Sequence, residues 1–324
     1  MITVSPSRRR QALMMLVLAT LFWGLSFPLI KATALTHQRL LPADSTWFVT
    51  AWSVGPRFLI AAVLMLIFQG KLLPTMVWSE WKQGLGLGLF AATGMLFQTD
   101  GLQFTAASTS AFLTQFYAIL IPIFVAMKAR RLPPWTVWLS SSLVLVGVAV
   151  LGHFNVRTLR FGRGEFETLV SSVFFMGQIL WLERKQFSGN RMLPVTLVMF
   201  AVEAVFFLVF GFFTAAQPGD LLATWQSPPW LISTVILSLA CTMTPLLIMN
   251  IFQPRITATE AGLIYCVEPI FGSTFALFLP ALLSAWCQVQ YANETPTANL
   301  LIGGGLITTA NVIIQLKPLP PDPV

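Results

Sequence analysis

Apolar runs follow one another along this chain, each near the roughly 20 residues a helix needs to cross a bilayer, and each ends at charge, proline or glycine. They lie near 12–35, 47–69, 84–104, 108–128, 133–151, 164–182, 192–214, 229–252, 258–283 and 298–316. Lipid offers the backbone no hydrogen-bond partner, so a spanning segment must be a helix or part of a closed barrel. The strict alternation of a barrel strand is absent over these long runs. The predicted fold class is an all-α integral membrane protein with ten transmembrane helices. Composition excludes the alternative of a soluble enzyme: of 324 residues, 56% are hydrophobic and 10% charged, where a soluble surface takes roughly a quarter charged.

The basic residues carry topology rather than partner information. A net charge of +7 could suggest nucleic acid, but the basic groups are small and sit between apolar runs, as orientation signals do. With the amino terminus inside, Arg8, Arg9, Arg10, Lys71, Lys82, Lys128, Arg130, Arg131, Arg184, Lys185, Arg191, Arg255 and Lys317 are cytoplasmic. The outer side receives Arg39, Arg157, Arg160 and Arg163, with Lys31 and Arg57 in or near the membrane. The prediction is a multi-pass protein of the cell membrane, plasma or inner, with both termini cytoplasmic. The first run is too long for the apolar core of a signal peptide and lacks a small-residue cleavage site, so it reads as an uncleaved helix. Cys241, Cys266 and Cys287 have neither metal-ligand spacing nor the even count of a disulfide framework.

A shift of 153 residues lays Leu21–Lys31 over Phe174–Arg184, with Phe, Gly and Leu coinciding, and the tripeptide Pro122–Phe124 recurs at Pro269–Phe271 on the fourth run of the other half. Five spans per half is an odd number, so the second half must enter from the opposite face. That is an inverted repeat, a frequent carrier architecture. The predicted units are residues 1–151 (helices 1–5), an inter-repeat loop at 152–163, and residues 164–324 (helices 6–10).

Four segments, LFWGLSFPLIKA (Leu21–Ala32), RFLIAAVLML (Arg57–Leu66), TAASTSAFLTQFYAILIPIF (Thr105–Phe124) and RITATEAGLIYCVEPIFGSTFALFL (Arg255–Leu279), carry a resemblance. The chain resembles the EamA-type members of the drug/metabolite transporter superfamily over nearly its whole length. The resemblance implies a ten-helix carrier, often an exporter of amino acids or other small metabolites, with a central cavity lined by helices 1, 3, 4, 6, 8 and 9. It departs from the family at Leu279–Asn299, where a longer segment replaces a short charged turn before the last helix.

A charge at mid-bilayer costs roughly 2.5–3.5 kcal/mol on insertion scales, so each one needs a reason. Glu268 lies about ten residues into the ninth run, directly before Pro269, with Tyr265 and Gly272 on the same helical face. It is the candidate for a substrate-amine or proton-exchanging site. Gln115 and Tyr117 on the fourth run and Gln98 on the third share a depth. Gln178 and Trp181 on the sixth run, Asn250 on the eighth and Trp23 on the first join them on the lining that the resemblance implies. Lys31 and Asp100, near outer ends, are expected to snorkel to headgroups. Arg57, after Pro56, is expected to open the regular part of the second helix, and Glu203 to serve packing on the seventh, which the resemblance keeps outside the cavity. Gly84, Gly86 and Gly88 have neither the preceding strand nor the following acid of a nucleotide fingerprint; close helix packing accounts for them.

These features predict a secondary transporter of a small-molecule substrate, amino-acid-like or a drug, working by alternating access with proton coupling through Glu268. No cofactor, metal or nucleic acid enters the reading. An enzyme lacks its parts: the histidines, His37 and His153, fall in predicted outer loops, and neither H-E-x-x-H nor G-x-S-x-G occurs. A non-transporting receptor or scaffold with a ligand cavity is the alternative. The charge bias makes a direct forecast. With Cys241, Cys266 and Cys287 replaced by serine, Ala43→Cys should react with a membrane-impermeant maleimide in intact cells, and Gly189→Cys only after permeabilisation.

Overall fold

The computed structural model describes residues 6–105, 107–130, 132–151, 162–295 and 298–316. Among them a helical tract falls over every one of the ten apolar runs. The first half holds α1 (Pro6–Leu40), α2 (Thr46–Gln69), α3 (Trp78–Phe104), α4 (Ala107–Thr114), α5 (Tyr117–Ala129) and α6 (Trp135–Leu151). The second holds α7 (Arg163–Leu182), α8 (Met192–Thr214), the short α9 (Asp220–Ala223), α10 (Pro228–Ile236), α11 (Thr244–Phe252), α12 (Ala258–Tyr265), α13 (Glu268–Ala276), α14 (Leu279–Cys287) and α15 (Ala298–Leu316). By length and apolarity alone, four described tracts can cross a membrane: Ser7–Leu40, Thr46–Thr75, Met192–Thr214 and Pro228–Arg255. The bent tract from Ala258 to Cys287 makes a fifth. Most of the expected 152–163 loop, with His153, Arg157 and Arg160, lies outside the described residues, as does Lys317.

Two expected single spans are broken. In the fourth run the helix tightens at Gln115–Phe116, where Phe116 N donates to Leu113 O (3.1 Å) and Ala118 N to Gln115 O (2.9 Å). The ninth run repeats this at Cys266–Val267, with Cys266 N on Leu263 O (3.2 Å) and Val267 N on Ile264 O (3.0 Å). Pro269 adds its own cause, since a ring without an N–H cannot satisfy the carbonyl of Tyr265 four residues back. Mid-helix turns of this tighter kind are common at hinges. The eighth run carries a third irregularity, a π-helical stretch at Leu237–Met243 between α10 and α11.

The expected 258–283 span also ends early. The axis turns by 60° between the Ala258–Ala276 tract and α14. Pro280 forgoes the helical bond to Ala276 O, and Glu294 N takes that acceptor instead at 2.8 Å. Asn293 Oδ1 then accepts from Ala281 N (2.8 Å), which folds the segment after α14 back over this end of the molecule.

Hydrophobicity does not drive helices together in lipid, so close approach and polar ties must do so. α2 packs on α8, α3 on α7 and α8, α6 on α15, and α1 on α11 and α13. α4 lies along α13 and α5 along α12, so the two broken helices run antiparallel. Glycine sets the spacing where backbones meet: a Cβ on Gly101 would stand 2.8 Å from Gly164 O. Gly84 and Gly88 similarly admit Val198 and Val202 of α8.

Ion pairs tie the two ends. At one, Arg9 meets Glu260 at 2.6 Å, joining the starts of α1 and α12. At the other, Arg163 at the start of α7 meets Asp100 near the end of α3 and Glu167 on its own helix (2.7 Å). At that same end Lys31 Nζ donates to Thr105 O at 2.8 Å, and Thr105 Oγ1 donates to Glu165 Oε1 at 2.7 Å. The expected snorkelling is thus replaced: Asp100 is fully buried and Lys31 half-buried, each held by a protein partner. The end of α1 thereby lies at the start of α7, so the two helices run in opposite directions.

Glu80, in the first turn of α3, accepts from Arg191 Nε (2.7 Å), Nη2 (2.8 Å) and backbone N (3.0 Å), and from Val77 N (3.2 Å). The Arg191 guanidinium holds its carboxyl down to about 2, from an ordinary 4.5. A depressed carboxylate stabilises the fold above its unfolded value and loses that contribution as the pH falls towards its folded value. The thermal unfolding midpoint of the purified protein should therefore fall as pH drops from 4.5 towards 2, and Glu80→Gln should flatten that part of the curve.

Candidate functional site

A cavity of about 90 Å³ opens among α1, α2, α3, the α4–α5 and α12–α13 breaks, α7, α8, the π-helical segment and α11. Its wall is mostly apolar and aromatic, with Trp23, Phe27, Phe58 and Phe175.

Six of the nine sequence-predicted residues line it: Trp23, Gln98, Tyr117, Gln178, Tyr265 and Glu268. Glu268 is the first residue of α13, at the break. Tyr117, the first residue of α5, holds the equivalent place in the other broken helix. Gln115 lies next to Glu268 within its own break, buried and outside the lining. Gln98 Nε2 donates to Thr114 Oγ1 at 2.9 Å, bridging α3 to α4. Gln178 is buried and its Nε2 has no acceptor.

Tyr265, expected on one helical face with Glu268, lines the cavity with it. Its hydroxyl donates to Gln253 Oε1 at 2.8 Å, and Gln253 donates on to Ile179 O (3.0 Å) and Glu183 Oε1 (3.1 Å). What it offers the cavity is its ring, which meets Trp23 edge to face at 5.3 Å. Gly272 is likewise taken up in packing, because a Cβ on the facing Gly24 would stand 2.8 Å from Gly272 N.

Two other predicted residues lie away from the cavity. Trp181 packs against Gly86 and Phe187, donates to Gln83 O at 3.2 Å and carries the Arg184 guanidinium 4.3 Å over its ring. Asn250 is fully buried and donates to Thr196 Oγ1 at 2.8 Å, tying α11 to α8. Helical phase decides both, and a span boundary uncertain by a residue or two rotates that phase by 100–200°.

Conversely, two charges that were expected to be structural line the cavity. α2 runs unbroken through Pro56, so Arg57 does not open a helix; it sits deep within α2, 2% exposed, with Nε and Nη2 on Thr242 Oγ1 (3.2 and 2.8 Å). Glu203 on α8 is fully buried and lines the same cavity, with neither carboxylate oxygen hydrogen-bonded. The placement of Glu203 corrects the expectation that the seventh run stands outside the cavity. The signal in the sequence was the cost of the charges themselves; the run assignments obscured it.

Residues 10–152 match the EamA-like transporter family. A curated relative from Archaeoglobus fulgidus, described as an uncharacterized transporter, is 24% identical over 307 residues, 93% of this chain and 85% of the relative. A protein of known crystal structure superposes with a TM-score of 0.64 and 19% identity over 95% of this chain and 97% of its own, which shows a shared fold. Its long apolar helical tracts make the chain a multi-pass membrane protein, and residues 10–152 are similar to the EamA-like transporter family. For any solute that thermally stabilises the wild type, Trp23→Ala should raise the apparent Kd several-fold, whereas Trp181→Phe should leave it unchanged.

Proposed function

We propose that this EamA-type protein is a secondary transporter that exports small organic metabolites of amino-acid type, or drugs, by alternating access across the cell membrane. The observation that carries the reading is the cavity wall built from two interrupted helices, α4–α5 and α12–α13, which pack antiparallel with Tyr117 and Glu268 at corresponding positions after their breaks. Interrupted helices beside a central site are a recurring device of secondary carriers.

An inverted repeat of residues 1–151 and 164–324 is supported by the packing. The contacts of α3 with α7 are matched by those of α1 with α11, while the pairs α2 with α8, α6 with α15 and α4–α5 with α12–α13 each map onto themselves when the halves exchange. The opposed directions of α1 and α7 agree with it. Glu268, buried and among the described residues without a cationic partner in hydrogen-bond reach, is proposed to receive a substrate amine or a proton in turn.

Counterflow in proteoliposomes tests the reading. Trans-side unlabelled solute should accelerate uptake of labelled solute, and Glu268→Gln should reduce flux roughly tenfold or more and abolish its dependence on an imposed proton gradient. Binding without exchange would favour a receptor or scaffold instead.

A further inference from the structure

Arg57 is a buried cation with no anion hydrogen-bonded to it among the described residues. A guanidinium is always charged and presents five N–H donors in a planar fork. Among the described residues its only hydrogen-bond acceptor is the neutral hydroxyl of Thr242, which takes both Nε and Nη2, while Nη1 has none. Glu203 lies within electrostatic reach but makes no hydrogen bond to it. Buried charges persist in proteins when paired or otherwise compensated. Arg57 lines the cavity, so the missing partner can arrive from within it.

Resting on the carrier reading above, we propose that Arg57 is the carboxylate-binding group of the cavity, and that the transported solute is a monocarboxylate with an apolar body, zwitterionic where its amine reaches Glu268. The fork suits a carboxylate, which it can hold through two parallel bonds. The π-helical turn presents Thr242 to the guanidinium and so fixes its orientation. With Glu203 nearby, one guanidinium offsets no more than a single negative charge, which disfavours phosphorylated solutes. The surrounding Phe27, Phe58 and Leu246 would receive the apolar body.

The test compares ligands on the wild-type protein, so it does not depend on a variant folding. Alanine, valine, leucine, methionine and phenylalanine are each paired with the corresponding amide, which keeps the amine and the body and removes the anionic head. Binding is read by thermal stabilisation in detergent, and exchange by counterflow in proteoliposomes. At least one acid should bind roughly tenfold or more tightly than its amide. Arg57→Gln should bring the two to parity without weakening the amide, and Arg57→Lys should restore part of the preference; a merely structural arginine would weaken both ligands alike. Equal binding of acid and amide by the wild type overturns the assignment, as does a panel in which no acid binds. Exchange of an organic cation such as tetraphenylphosphonium in that case leaves the carrier reading intact. Acid-selective binding with no exchange of any solute overturns the carrier reading alone.

Discussion

The antiparallel contact between α4–α5 and α12–α13 is the one on which the rest of the molecule depends. Irregular backbone within a bilayer is tolerated only where protein or a water-filled cavity shields it, and each broken helix shields the other. Gly262 lies against Ile121 and Tyr117 at this contact. Both breaks therefore sit at the centre of the bundle. The residues that follow them, Tyr117 and Glu268, face the cavity and not lipid.

Electrostatics divide the molecule by depth. At the two ends, charges are paired directly: Arg9 with Glu260, Arg191 with Glu80, Arg163 with Asp100 and Glu167. Around the cavity they are not, since Arg57 rests on a hydroxyl and both oxygens of Glu203 go without hydrogen bonds. Paired ends hold helix termini in register. Unpaired charges deep in a low-dielectric site weaken a fold, and Arg57, Glu203 and Glu268 bear that cost around the cavity.

The sequence made some of this legible and hid the rest for identifiable reasons. Helical tracts were legible from run length, and Glu268 from the cost of a charge beside a proline at mid-depth. The break at Gln115–Phe116 was not, because no proline or glycine marks it; a tightened turn there leaves no compositional trace. Trp181 and Asn250 were candidates on lining helices, yet they turn towards Gly86 and Thr196. Arg57 was set aside as a helix-opening residue after Pro56 and Glu203 because its helix was assigned outside the cavity; the contact of Arg57 with Thr242 and the place of both in the cavity wall reversed that.

By itself, the sequence determined that the chain is helical and made for lipid, because apolar length and scarce charge admit no other backbone arrangement in a bilayer. It also determined which charges needed an explanation. Tertiary structure alone decided which of them share a space, because side-chain direction depends on helical phase and on local breaks that shift it. A one-residue slip turns a side chain by about 100°. Composition does not record that rotation; packing against a neighbouring helix sets it.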